Sequence, residues 1–75
     1  MNLLLPQTRL ATVTAARPVD IHGDRYVDLV LALDDPAAPP VSGRVGANEC
    51  PADLAVGDRV SVRFTMGVIT RITRA

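Results

Sequence analysis

From Arg59 to Thr65 the chain alternates strictly between polar and apolar side chains. Val60, Val62 and Phe64 point one way, with Met66 continuing the series, and Arg59, Ser61, Arg63 and Thr65 point the other. A period of two marks a strand buried on one face. Gly67 interrupts the run. Val68, Ile69 and Ile72, set among Thr70, Arg71, Thr73 and Arg74, then read as a second strand. Ahead of the pair, Val56-Gly57-Asp58 supplies a tight turn in which Gly57 can take positive φ. A lone hairpin is marginal in water, so the rest of the chain has to complete a sheet around it.

Three further strands are legible upstream. Thr8 to Arg17 is rich in Thr and Val with no helical period, and Pro18 either ends that strand or marks a sheet edge. Residues 20–24 form a turn punctuated by Gly23-Asp24. Arg25 to Leu33 then alternates clearly, with Val27, Leu29, Leu31 and Leu33 inward and Tyr26, Asp28, Val30 and Ala32 outward. Pro36, Pro39 and Pro40 make residues 34–40 an extended loop. Val41 to Ala47 is the third strand, with Val41 and Val45 inward and Ser42, Arg44 and Gly46 outward. Its two glycines permit strong coiling or close approach of another segment. Between residues 48 and 54, Pro51 suits the first position of a single helical turn, and Leu54 closes the bottom of the core.

Five strands and at most one short helical turn define an all-β class and a small Greek-key barrel, one domain over residues 1–75 with residues 1–7 as an N-terminal arm. Leu3, Leu4 and Leu5 in that arm are costly to expose. They are expected to extend a strand or plug the core, or else to pack on a second subunit. A chain of 75 residues buries only roughly 60–65% of its unfolded surface, while ordering costs ~1.5 kcal/mol per residue. Cys50 is the single cysteine and forms no internal disulfide. A closed barrel and a homo-oligomer are therefore the expected sources of stability.

No apolar run approaches the ~20 residues that span a bilayer. Met1 to Pro6 lacks a basic segment and is too short in apolar residues for a signal peptide. A cytoplasmic location without a membrane partner is the expectation. Eight arginines, no lysine and eight carboxylates leave zero net charge. That neutrality lacks the basic excess of a protein that grips nucleic acid by electrostatics alone, so any such binding needs local clustering of arginine.

Catalytic readings find little to stand on. His22 is the only histidine and sits in a turn. Cys50, beside Pro51, has no second cysteine or nearby histidine to make a metal site or an activated thiolate. Asp34-Asp35 in a proline-rich loop reads as a solvated turn. No glycine loop carries the lysine of a phosphate-binding motif. A protein that is not an enzyme and needs no cofactor or metal is expected.

The order of a strand, a turn, a long strand ending in Leu33-Asp34-Asp35, a loop, a third strand, then L-x-V-G-D-R-V-S-V-R-F and a last hairpin strand resembles the oligonucleotide/oligosaccharide-binding (OB) fold over residues 8–74. The resemblance is to its compact single-stranded-DNA-binding and primosomal versions, although the usual helix after the third strand is cut to about one turn. An SH3-like barrel is the alternative, but there the G-D-R-V strand comes early. The OB resemblance implies a ligand surface on the outward face of the second and third strands. On this chain that face holds Tyr26, Val30 and Arg44, flanked by Arg25 and by Arg63 and Arg71 of the later strands. Guanidinium groups meet phosphate by forked hydrogen bonds and Tyr26 offers a stacking platform. The implied function is non-catalytic binding of single-stranded nucleic acid. The competing one is an oligomerising or adaptor module that recruits a larger protein, with the arginines merely paired to surface carboxylates.

Overall fold

In a computed structural model that describes residues 4–75, the chain forms five strands: β1 (Gln7–Ile21), β2 (Asp24–Leu33), β3 (Val41–Gly46), β4 (Arg59–Thr65) and β5 (Val68–Arg74). A 3₁₀ turn over Ala47–Glu49 follows β3. All pairings are antiparallel and the sheet runs in the order β3-β2-β1-β4-β5. The long β1 serves both halves. Residues 7–12 pair with β4, and residues 11–21 pair with β2. The sheet curls until its two outer strands meet, where a Cβ built on Gly43 of β3 would lie 2.9 Å from Ile69 Cδ1 of β5. No backbone ladder joins β3 to β5, so this seam is closed by side-chain packing.

The interior is apolar: Ala11 and Val13 of β1, Leu29, Leu31 and Leu33 of β2, Val45 of β3, Val60, Val62 and Phe64 of β4, and Ile69 and Ile72 of β5 are buried. Ile69 and Ile72 are three residues apart, a spacing that strict alternation would send to opposite faces. A bulge resolves the conflict. Arg63 opposes Arg71 and Phe64 opposes Ile69, which leaves Thr70 as the extra residue and brings both isoleucines inward. β1 uses the same device at Thr14, between the Val13–Leu31 and Ala15–Val30 pairs, so that Ala16 packs on the core beyond it. Each bulged threonine donates its hydroxyl to a carbonyl of the opposing strand: Thr14 to Val30 O at 3.0 Å and Thr70 to Arg63 O at 3.2 Å.

Several expectations are corrected. Met66 does not extend the buried series of β4. It sits at φ 52° beside Gly67 (φ 79°) in a two-residue hairpin turn and is 76% exposed. Residues 20–24 contract to the same kind of turn at His22 (φ 51°) and Gly23 (φ 84°), because left-handed central residues match the twist of the flanking strands. β1 runs past Arg17 to Ile21, with Pro18 opposite Val27. Beyond Asp58 no strand lies on its other side, so Pro18 occupies an edge and its missing N–H breaks no second ladder. The helical turn precedes Pro51 rather than starting there, since Cys50 is held extended as residues before proline usually are. Leu4 and Leu5 do not plug the core, being 67% and 61% exposed, and Leu3 lies outside the described residues. The Gly57 turn is as expected, at φ 94°, with Asp58 N–H donating to Ala55 O at 3.1 Å.

Two mutational tests follow from the seam and the bulges. Gly43→Ala brings its Cβ within 2.9 Å of Ile69 Cδ1, the far end of a flexible side chain, so Ile69 turns aside at a cost of about 0.5–1.5 kcal/mol. Ile69→Val removes the offending methyl, so the double variant should be more stable in urea than the two single losses predict; strict additivity would contradict the close contact. Thr70→Ala should cost about 0.5–1.5 kcal/mol. Deleting Thr70 leaves Ile69, Arg71 and Ile72 in strict alternation, so both isoleucines stay inward without the bulge and unfolding should remain cooperative; loss of cooperativity would contradict Thr70 as the extra residue.

Candidate functional site

The outward face of β1, β2 and β3 is organised in cross-strand rows. Arg17, Asp28 and Arg44 are paired side by side across the three strands. Arg44 grips Asp28 with two forked hydrogen bonds, Nε to Oδ1 at 2.6 Å and Nη2 to Oδ2 at 3.1 Å, while Arg17 Nη2 stands 3.7 Å from Oδ2. One carboxylate is thus shared by two guanidiniums. On one side of this row lie Ala15, Val30 and Ser42, and on the other Val19, Tyr26 and Gly46. The half-buried Tyr26 is near enough to raise the Arg44 pKa through its charge interaction, after the larger effect of Asp28.

A second row lies on β4 and β5, where Arg63 and Arg71 oppose one another directly. Arg71 Nη2 reaches Glu49 Oε2 at the end of the 3₁₀ turn, 3.0 Å away. Arg63 has the Thr8 hydroxyl within 3.4 Å and no carboxylate among the described residues. Here two guanidiniums face one another and only Arg71 is paired with a carboxylate. The two rows converge on the seam, since Arg44 belongs to β3 and Arg71 to β5.

Elsewhere the charges balance or run acidic. Arg25 donates to Asp20 at 3.2 Å near the tip of the β1–β2 hairpin. Arg59 forks onto Asp34 with both bonds at 2.6 Å and also donates to the Thr12 hydroxyl. Arg74 bridges Asp53 (2.6 Å) and Asp58 (3.1 Å), and Asp58 also accepts from the Ala55 N–H. The zero net charge therefore conceals a segregation in which the two rows carry a surplus of guanidinium. The compensating carboxylates sit in the connecting turns, at Asp24, Asp35 and the Asp53/Asp58 pair.

Of the residues singled out from sequence, Tyr26 and Arg44 share one outward face, and Arg63 and Arg71 share the second row. Arg25 is engaged at the hairpin end with Asp20. Arg17 is not among the residues singled out: in sequence it stands at the last position before Pro18, which reads as a strand end or an edge, and the structure has the edge, with β1 continuing. The register Arg17–Asp28 was the signal that would have found it.

Two open concavities flank this surface. One, of about 470 Å³, is lined by Ala15, Val30, Ser42 and the Asp28–Arg44 pair. The other, of about 430 Å³, lies between the hairpin and the 3₁₀ turn and is lined by Asp24, Arg25, Tyr26 and residues 46–49. Cys50 is partly buried, which pushes its thiol pKa up, away from the thiolate needed for nucleophilic or metal chemistry. Among the described residues no three His, Cys, Asp or Glu side chains gather as a metal site would need. No helix among them is long and apolar enough to cross a membrane. Family models, curated proteins and solved structures offer no match to this chain.

The ion pairs add a small, acid-sensitive contribution to the stability of the fold. The Arg44 hydrogen bond holds Asp28 below the usual carboxylate pKa of 3.8, as Arg59 does for Asp34 and Arg74 for Asp53. For Asp58 the Ala55 N–H is the leading cause and Arg74 the next. A depressed folded-state pKa adds stability that is complete above the unfolded value and lost as pH falls through the folded one. The urea midpoint is therefore expected to be flat from neutrality to about pH 5 and to fall below about pH 4. Asp28→Asn and Asp34→Asn should flatten that acid decline.

Proposed function

We propose that this protein is a non-catalytic binding module for single-stranded nucleic acid, of the OB kind, that carries the strand across its two arginine rows. Support for the OB assignment comes from the strand order β3-β2-β1-β4-β5, the approach of β3 to β5 and the closing hairpin; an SH3-like barrel does not place its G-D-R-V strand fourth. The observation that carries the reading is the surplus of guanidinium in each row: Arg17 and Arg44 share the Asp28 carboxylate, and of the facing Arg63 and Arg71 only Arg71 has one, Glu49.

Exposed ion pairs contribute only about 0–1 kcal/mol, so a phosphate can exchange for a shared carboxylate at little cost. A guanidinium freed in this way makes a charge-assisted forked contact with the phosphate. Tyr26, beside Arg44, offers one ring for stacking, worth about 1–3 kcal/mol per base. One ring gives weak binding to a single copy, and a homo-oligomer repeating the site would raise it by avidity.

Anisotropy titrations with labelled dT and mixed-sequence oligonucleotides test the proposal. Binding in the micromolar range that weakens with salt is expected. Arg17→Ala should lower the slope of log K against log salt by about 0.7, the loss of one phosphate contact on a single strand. Arg59→Ala, outside the rows, should leave the slope unchanged. Absence of salt-sensitive binding at tens of micromolar protein would overturn the proposal.

One observation favours a second reading, an oligomerising or adaptor module. Leu4, Leu5, Met66 and Val68 are exposed, and Leu4 approaches the β4–β5 turn, with its Cδ2 3.5 Å from a Cβ built on Gly67. An apolar cluster of this kind is a common contact surface. Light scattering of wild type and Met66→Ser separates the readings: an oligomer that dissociates on substitution, with no oligonucleotide binding, would favour the second.

A further inference from the structure

Gly46 ends β3 directly opposite Tyr26 of β2, the only tyrosine in the chain. Its backbone does not call for glycine. At φ −63° and ψ 146° any residue is at ease, and a Cβ there would meet nothing nearer than Glu49 Cγ at 3.8 Å. A β-branched residue would be the better strand former at such a position. What glycine does provide is space beside the aromatic ring, on the outward face, inside the concavity between the hairpin and the 3₁₀ turn. The volume of about 430 Å³ falls within the range of small-molecule sites.

Two carboxylates, Asp24 and Glu49, line this space together with the Arg25 guanidinium, the Tyr26 hydroxyl and the Asn48 amide. Asp24 carries no ion pair or hydrogen bond among the described residues, although its neighbour Arg25 is committed to Asp20. Glu49 is tied to Arg71 through Oε2. Asn48 adds an amide that both donates and accepts. A carboxylate accepts only, so it selects a partner with adjacent N–H donors. Among the nucleobases, guanine alone presents two such donors side by side, N1–H and the N2 amino group, on its Watson–Crick edge. Its O6 is left as an acceptor for an amide donor. Single-stranded recognition commonly joins stacking on an aromatic ring to hydrogen bonds along that edge.

We propose that this concavity receives a guanine base, stacked on Tyr26 in the space left by Gly46 and read along its Watson–Crick edge by the Asp24 carboxylate. The inference rests on the single-strand reading above and adds a base preference to it. The base can come from a strand or from a free nucleotide, and both sources share this chemistry.

Thymidine oligonucleotides carrying one central dG, dA or inosine, compared with all-dT by anisotropy, test the preference. The dG strand should bind about tenfold tighter than all-dT, within the range of a forked base contact. Inosine, which lacks the N2 amino group, should fall between them, and dA should gain nothing. Asp24→Asn should erase the dG advantage while leaving all-dT affinity in place. Gly46→Val, expected to melt no lower than wild type, should erase it by filling the space. Guanosine monophosphate should compete with the dG strand at concentrations where adenosine monophosphate does not. Equal affinity for all strands, unchanged by Asp24→Asn, would overturn this inference and leave nucleic-acid binding standing. Failure of every strand to bind would overturn the single-strand reading and this inference with it.

Discussion

The barrel depends on how its two outer strands meet. Four pairings are hydrogen-bonded ladders, but β3 and β5 meet through Ile69 laid over Gly43, with the isoleucine δ1 methyl 2.9 Å from where a Cβ at that position would lie. Closure by a side chain is cheap in backbone terms and demanding in shape. It needs Ile69 to point inward, opposite Phe64, and the glycine lets its δ1 methyl lie close without turning aside. The remaining core, with Phe64, Leu29 and Leu31 fully or almost fully buried, is continuous with that contact. A chain of this size has little stability in reserve. The loss of a single seam contact is consequently felt throughout.

The same closure gathers the surface chemistry. Arg44 and Arg71 are carried on the two strands of the seam, so the row begun by Arg17 on β1 and the row begun by Arg63 on β4 approach each other there. Most guanidiniums have a carboxylate partner: Arg17, Arg25, Arg44, Arg59, Arg71 and Arg74 each lie within ion-pair distance of one. These exposed pairs are weak and screened by salt. Their role is better described as placing each guanidinium than as supporting the fold. Where two share one acid, a site for an incoming anion already exists in outline.

Much of the fold was legible in the sequence because burial imposes a period. Val60, Val62 and Phe64, and Leu29, Leu31 and Leu33, each identify their strand and face without reference to anything distant. Met66 was misread because it keeps the period for one more residue, while the turn that removes it depends on Gly67 and on the twist of the strands it joins. The bulges were half visible: Ile69 and Ile72 cannot both be buried without one, yet the sequence alone does not say which residue is extra. β1 past Arg17 was lost to a local rule about proline, which holds only where strands lie on both sides. The candidate site divides similarly. Outward positions such as Tyr26 and Arg44 follow from alternation. Their partners, including Arg17 beside Asp28, depend on register, and the closeness of β3 to β5 depends on the whole sheet.

The contact between Ile69 and Gly43 is open to direct observation by nuclear Overhauser spectroscopy on protein labelled at isoleucine methyl groups. A closed barrel predicts strong cross-peaks from the Ile69 δ1 methyl to both Gly43 α-protons and to the Phe64 ring of the core. Cross-peaks to Phe64 without any to Gly43 would mean an open sheet with separated outer strands. The closed barrel, and with it the convergence of the two arginine rows, would then be wrong.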